Sequence, residues 1–260
     1  MNKELLDLSV YAIKQASKVI VKYYNSELDV KMKGISNPVT DADYEADDVL
    51  HEELIKETPN FGWLSEETKD SPDRLEKEFV WIVDPLDGTK EFVEGIPNFV
   101  VSIGLVQNGV PVLGTIINPI SSDLYTTYKG NGVQLNGNSV SISSKTSLES
   151  MSMLNSRTET KNGLWDPFDQ YFNKLIPIGS IAYKLAMTSA NQADIVASLK
   201  PKNEWDICAG HCLINEAGGI LLTSMGKDIY YNNKNTLITP GLVASNKSAV
   251  DNMLNCIKNA

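Results

Sequence analysis

The segment Asp84-Pro85-Leu86-Asp87-Gly88-Thr89 puts two carboxylates three residues apart, directly after the apolar run Phe79 to Val83. That run is rich in aromatic and β-branched residues and reads as a buried strand, so both aspartates leave one strand end together. Two unit charges ~4 Å apart at an effective dielectric of about 20 repel by ~4 kcal/mol. Such a pair needs a cation or a shared proton, and an all-oxygen cluster selects a hard cation such as Mg²⁺. Gly88 and Thr89 are expected to open a short helix whose backbone N–H groups suit a phosphate. Taken alone, the segment also fits an ordinary solvated turn, for which Asp, Gly and Pro are common.

Three further acidic segments stand elsewhere in the chain. Asp206, within Glu204-Trp205-Asp206-Ile207-Cys208-Ala209-Gly210, falls at or just inside a helix N-terminus, where the helix dipole favours its ionised form. Ala209 and Gly210 allow that helix to pack closely on a neighbour. Glu66 and Glu67 follow the strand-like Phe61 to Leu64, and Asp41, Asp43 and Glu45 lie near a helix start. Each also has a plain structural account: an N-cap, a surface pair, and dipole partners in a first turn.

The elements that must position these groups follow from the pattern. Residues 3 to 24 show apolar residues at helical spacing, and a second helix is expected from Ala42 to Glu57, capped by Thr40 or Asp41 and stopped by Pro59. Strands are expected at 99–106, 111–119 and 124–130, with a tight hairpin at Asn108-Gly109 and turns at Asn131-Gly132 and Asn136-Gly137. After a boundary near 145, a strand ends around Ser156, and helices are expected around 163–175 and from Ser180 to Asn191. Ala193 to Leu199 reads as a strand and Trp205 to Ala217 as a helix ended by Gly218-Gly219. Strands at 219–224 and 241–246 and a helix at 247–258 complete the chain. Residues 1–145 thus read as an α+β half with an antiparallel sheet and most of the acidic groups. Residues 146–260 read as an α/β half supplying Asp206 and substrate contacts.

The 260 residues suffice for one large domain or two tightly joined halves. With a net charge of -10, the chain would be repelled by a nucleic-acid backbone, which excludes a non-specific nucleic-acid binder. The same charge demands local positive charge for an anionic ligand, and bound metal is one source. Three cysteines suggest no disulfide framework. The start of the chain is amphipathic and no apolar run approaches a membrane span, so a cytoplasmic protein with no membrane partner is expected.

Taken together, Trp63 to Glu67, Trp81 to Thr89 and Glu204 to Gly210 resemble, in order and spacing, the motifs of the inositol monophosphatase superfamily. Members are metal-dependent, lithium-sensitive phosphatases of sugar, inositol and nucleotide phosphates. The resemblance covers nearly the whole chain. It implies a layered α-β-α-β-α sandwich and two to three Mg²⁺ ions. It implies that Glu66, Asp84 and the Leu86 carbonyl hold one ion, and that Asp84, Asp87 and Asp206 hold a second. A third ion would lie beside Glu66. Thr89 and Asp43 would hydrogen-bond each other and orient the attacking water, and the backbone of Gly88 and Thr89 would bind phosphate. The implied chemistry is metal-assisted in-line displacement with no covalent enzyme intermediate. Relatives are often homodimers, but no interface signature is readable in this chain.

The segments Asp84 to Phe92 and Asn203 to His211 resemble most the 3′(2′),5′-bisphosphate nucleotidases, which remove the 3′-phosphate of adenosine 3′,5′-bisphosphate. So does Gly179 to Lys184, where Ser180 and Lys184 lie four apart on one helical face, placed to reach a substrate. Inositol monophosphatases carry a ring-contacting glutamate seven residues before the aspartate of the Trp-Asp motif; that position is Leu199 here. Lys200 and Lys202 stand where nucleotidases often carry an aromatic or arginine-containing stretch, and either could meet a second phosphate. The alternatives are an inositol or other sugar-phosphate phosphatase and, of a different class, a non-catalytic binding protein on the same fold. Cys208, His211 and Cys212 lack a fourth zinc ligand nearby, so core packing is their better account. The Asp-Pro-Leu-Asp-Gly-Thr spacing is one residue longer than that of aspartyl-phosphate-forming phosphatases.

Overall fold

The computed structural model describes residues 2–24, 30–34 and 37–259. Helix α1 (Asn2–Tyr24) leads through the paired strands β1 (Val30–Gly34) and β2 (Asn37–Thr40) into α2 (Asp41–Glu57). Thr40 is the N-cap of α2, and its backbone N–H and hydroxyl both donate to Asp43 Oδ2, at 2.8 and 2.7 Å. A sheet of seven strands follows: β3 (Gly62–Ser65), β4 (Phe79–Asp87), β5 (Val100–Gln107), β6 (Val110–Ile117), β7 (Leu124–Tyr128), β8 (Val133–Leu135) and β9 (Asn138–Val140). Its strands lie side by side in chain order; only β3 and β4 are parallel. The short helix α3 (Thr89–Val93) links β4 to β5.

A second sheet has the order β11, β10, β12, β16, β14, built from β10 (Ser152–Ser156), β11 (Lys174–Ile178), β12 (Ile195–Ser198), β14 (Ile220–Thr223) and β16 (Leu242–Ser245). β13 (Lys202–Asn203) pairs with β15 (Leu237–Ile238) outside it. The helices of this part are α4 (Arg157–Lys161), α5 (Ile181–Ser189), α6 (Glu204–Glu216) and α7 (Lys247–Asn259).

Period-two alternation explains the layering. On β4, Trp81 and Val83 enter the core under α1 and α2, while Val80 and Ile82 enter the core shared with α5, α6 and the second sheet. Helix α1 supplies Ala12, Ile13, Ala16 and Ile20 to the first core, and α2 supplies Ala42, Ala46, Leu50 and Leu54. Helix α7 covers the far face of the second sheet through Ala249, Val250 and Met253. The result is the layered α-β-α-β-α sandwich. The middle core mixes Val80 and Ile82 with Leu154, Val196 and Ile207, so residues from before and after position 145 pack as one body.

The helix expected around 163–175 is absent. Asp166–Tyr171 form a 3-10 turn, and Lys174–Ile178 is β11, parallel to β10. Trp165, Phe168 and Phe172 fill the core beneath α7, and their near-helical spacing mimicked an amphipathic helix. Pro177 is tolerated because β11 is an edge strand.

Candidate active site

Asp84 and Asp87 are three apart, a spacing that in a regular strand sends side chains to opposite faces. The β4–β5 ladder prevents this. Asp84 faces Ser102 and Asp87 faces Val100, so three steps on β4 match two on β5 and one residue bulges. The bulge leaves Leu86 in the core and lets the Asp87 charge act on Asp84. Gly88 then takes φ +106°, a left-handed conformation suited to glycine, and its Cβ position would lie 3.0 Å from Asn98 O.

Helix α6 brings Asp206 to this strand end. Gly104 and Gly114 are cross-strand partners, and side chains there would strike Cys208 Sγ and Ala209 O at 2.6 and 2.5 Å. The helix therefore lies directly on the sheet, and Gly210 gives equally close contact to Leu185 of α5. Asp206 is the third residue of α6 and accepts from Asn203 N at 2.8 Å, closing a capping box. It acts as a cap and as a member of the cluster at once.

The carboxylate oxygens of Glu66, Asp84 and Asp206 lie within 4.8 Å of one another. Asp84 is only 1% exposed. Its Oδ1 accepts from Leu86 N at 3.0 Å, while Oδ2 is buried with no hydrogen-bond partner among the described residues. Burial first, and then the charges of Glu66, Asp87 and Asp206, hold the Asp84 carboxyl far above the usual range. Burial and Asp87 push Asp206 to about 7. Burial also raises Asp87, opposed by hydrogen bonds from Ser180 Oγ at 2.7 Å and Ala182 N at 2.6 Å. An orphaned buried oxygen amid converging carboxylates fits a hard divalent cation.

Thr89 Oγ1 lies 3.1 Å from both Asp43 Oδ1 and Leu86 O. Ser180 and Lys184 are committed to the wall of the site. Ser180 caps α5 at φ +53°, strained for a residue with a side chain, and spends its hydroxyl on Asp87. Lys184 is 3% exposed and donates to the carbonyls of Ile178 and Gly179 at 3.0 and 3.2 Å. Burial lowers its pKa to about 8 although Asp87 opposes that shift. Lys202 borders the cavity, Lys200 is exposed outside it, and Leu199 is half-buried against the core beneath α7.

A cavity of about 340 Å³ is lined by the acids Glu66, Asp87, Glu91 and Asp206, by Gly88 and Thr89, and by the basic residues Lys90, Arg157, Lys184 and Lys202. Arg157 belongs to none of the acidic or basic segments that the sequence singles out. Its guanidinium pairs with Glu91 at 2.8 Å and Glu94 at 2.9 Å, joining α4 to α3 and the residue that ends it. The partners are 66 and 63 positions away, so no local pattern could announce the pairing. Its position immediately after a strand was the available signal. His211 and the two neighbouring cysteines are buried away from the cluster, with His211 Nδ1 2.9 Å from Tyr231 Oη.

A strand-end bulge and a helix start that gather carboxylates beside a polar cavity, within this layered sandwich, define a metal-dependent phosphatase class. The chain belongs to the inositol monophosphatase family, whose model matches residues 1–258. Inositol monophosphatase of Mesembryanthemum crystallinum is 32% identical over 267 residues, covering 99% of this chain and 97% of that one. The structure of extragenic suppressor protein suhB from Bartonella henselae is similar with a TM-score of 0.88 at 28% identity, covering 99% of each chain. That of CysQ from Bacteroides thetaiotaomicron gives 0.75 at 29% identity, covering 93% of this chain and 97% of that one. The protein is accordingly a metal-dependent hydrolase of phosphoric monoesters. Among the described residues, no helix is long and apolar enough to cross a membrane.

Proposed function

We propose that the protein removes a phosphate from a small molecule carrying a second phosphate, with adenosine 3′,5′-bisphosphate as the best representative and Mg²⁺ as the cofactor. The observation that carries this reading is the cavity in which the carboxylate cluster opens onto Lys90, Lys202 and the Glu91-paired Arg157. Leu199, half-buried against the core, offers no carboxylate to a polyol ring.

Glu66, Asp84, Asp206, Asp87 and the Leu86 carbonyl would hold the metal. When bound, Mg²⁺ supplies positive charge that offsets the carboxylate repulsion and polarises the phosphoryl group. Asp43 and Thr89 orient the attacking water, Asp43 accepting the Thr89 hydroxyl proton in a hydrogen bond so that the hydroxyl oxygen faces the water with its lone pairs. Glu66 borders the same cavity and would help hold the attacking water. The backbone of Gly88 and Thr89 binds the phosphate under attack. Lys202 and Arg157 meet the second phosphate, and Ser180 and Lys184 hold the wall that carries Asp87. Lithium inhibition is expected of this site.

A second reading, hydrolysis of inositol 1-phosphate, is favoured by the 32% identity to a protein named inositol monophosphatase. Comparing kcat/KM for adenosine 3′,5′-bisphosphate and inositol 1-phosphate at saturating Mg²⁺ separates the two. Preference for the bisphosphate supports our reading, and preference for the inositol ester overturns it. Absence of Mg²⁺-dependent release from either compound and from other small phosphate esters would favour a binding protein on this fold.

A further inference from the structure

Asp43 and Asp47 stand one turn apart on α2, and their carboxylates hold two different loops of the site. Asp43 accepts from Thr89, beyond the β4 bulge. Asp47 is buried and lies outside the group formed by Glu66, Asp84 and Asp206. Its Oδ1 accepts from Ser65 Oγ at 2.5 Å, and its Oδ2 accepts from Thr68 Oγ1. These two hydroxyls bracket Glu66 and Glu67. Ser65 Oγ also accepts from Glu67 N at 3.4 Å, and Glu66 N donates to Val83 O at 3.3 Å. One further turn along α2, the His51 ring meets Trp63 edge-on with centroids 5.0 Å apart, and Trp63 Nε1 donates to Thr68 Oγ1 at 3.3 Å.

A buried carboxylate is costly unless its oxygens are hydrogen-bonded. Asp47 directs both oxygens at the short turn that carries Glu66. Resting on the reading that Glu66 shares a divalent cation with Asp84 and Asp206, we propose that Asp47 is a positioning residue for Glu66. It ties the turn at both ends to α2 and so fixes the height at which the Glu66 carboxylate meets the other two. The pattern Asp43, Asp47 makes one face of α2 the common reference for the Glu66 turn and the Thr89 loop.

Isothermal titration with Mn²⁺ alone, together with circular dichroism and the Mg²⁺ dependence of phosphate release, tests this. Asp47→Ala should fold, bind Mn²⁺ about tenfold or more weakly, and need correspondingly more Mg²⁺ for half-maximal release, as for other residues that orient ligands. At saturating Mg²⁺ its kcat should recover to within about threefold of wild type, because metal binding itself reorders the turn. Asp47→Asn should restore Mn²⁺ affinity to within about threefold, since the amide oxygen accepts from Ser65 and its NH₂ donates to the Thr68 hydroxyl. A merely structural role would lower Tm without moving the Mn²⁺ affinity of the folded protein. If Asp47→Ala does not fold, Thr68→Val carries the same test, with the same expected weakening. Wild-type binding lost in Glu66→Gln but kept in Asp47→Ala or Thr68→Val overturns this inference alone. Wild-type protein that binds no Mn²⁺, or Glu66→Gln that binds it undiminished, overturns the cation reading and this inference with it.

Discussion

Gly104 on β5 and Gly114 on β6 face each other across the ladder, and α6 rests on the flat patch they leave. A methyl at position 114 would meet Ala209 O at 2.5 Å, and that backbone atom has nowhere to retreat but away from the sheet. Gly114→Ala should therefore cost about 1–3 kcal/mol by overpacking. Because Asp206 lies in the first turn of the same helix, the variant should also need more Mg²⁺ for half-maximal activity. Thermal denaturation and a Mg²⁺ titration measure the two effects. Unchanged metal dependence would detach α6 placement from the site.

The carboxylate cluster should oppose folding when no metal is present. Asp206 has its folded-state pKa raised to about 7 by burial and Asp87, against an ordinary 3.8. Between those values the folded state binds more protons than the unfolded state, so this group adds stability as pH falls through about 7. Asp206→Asn should raise the Tm of metal-free protein at pH 7.5 by about 2–5 °C, a 1–2 kcal/mol effect in a chain of this size. The same variant should lose the Tm increase that Mg²⁺ gives the wild type. Differential scanning calorimetry with and without Mg²⁺ reads both.

His211 acts in the opposite direction over a similar pH range. Burial lowers its pKa from 6.5 to about 4, beside Tyr231. Its contribution is complete above pH 6.5 and is lost as pH falls toward 4, because the unfolded chain takes up the proton first. The full loss would approach 3 kcal/mol. His211→Asn should match its own high-pH stability down to lower pH, so the wild-type advantage over the variant shrinks below about pH 6.5. Urea denaturation of both proteins at pH 7.5 and 5.0 measures it, and a constant difference would refute the assignment.

Much of the architecture is legible in the residue pattern, because long elements with one apolar face declare themselves. The helices at Asn2–Tyr24, Asp41–Glu57 and Glu204–Glu216 and the strand from Phe79 follow from apolar spacing, cap and stop residues, and β-branched composition. The aromatic segment 163–175 misled for the same reason: Trp165, Phe168 and Phe172 share a helical period but serve a 3-10 turn and a loop. Within the site, the acidic groups at 66, 84, 87 and 206 are visible as motifs. Their convergence depends on a one-residue bulge and on two glycines opposite a helix, which are tertiary facts. Ser180 and Lys184 have the spacing of ligand-facing residues, yet their polar atoms satisfy Asp87 and two carbonyls. Only the folded chain tells whether a polar atom faces the cavity or its wall.

Arg157 should contribute to recognition of the second phosphate. Arg157 borders the cavity, and its guanidinium is held in place by Glu91 and Glu94. Arg157→Ala should raise KM for adenosine 3′,5′-bisphosphate about tenfold, the 1.4 kcal/mol expected of one charge-assisted contact. For a substrate with a single phosphate, KM should change less than about threefold. Equal losses for both substrates would mean that Arg157 supports the fold of the mouth instead.

The account depends most on Asp87, whose charge acts on both Asp84 and Asp206. Phosphate release by Asp87→Asn as a function of Mg²⁺ concentration, with circular dichroism confirming the fold, is the most direct measurement. A folded variant with turnover reduced at least about a hundredfold at every Mg²⁺ concentration is the expected result. A folded variant that turns over at the wild-type rate would contradict the metal-centred site.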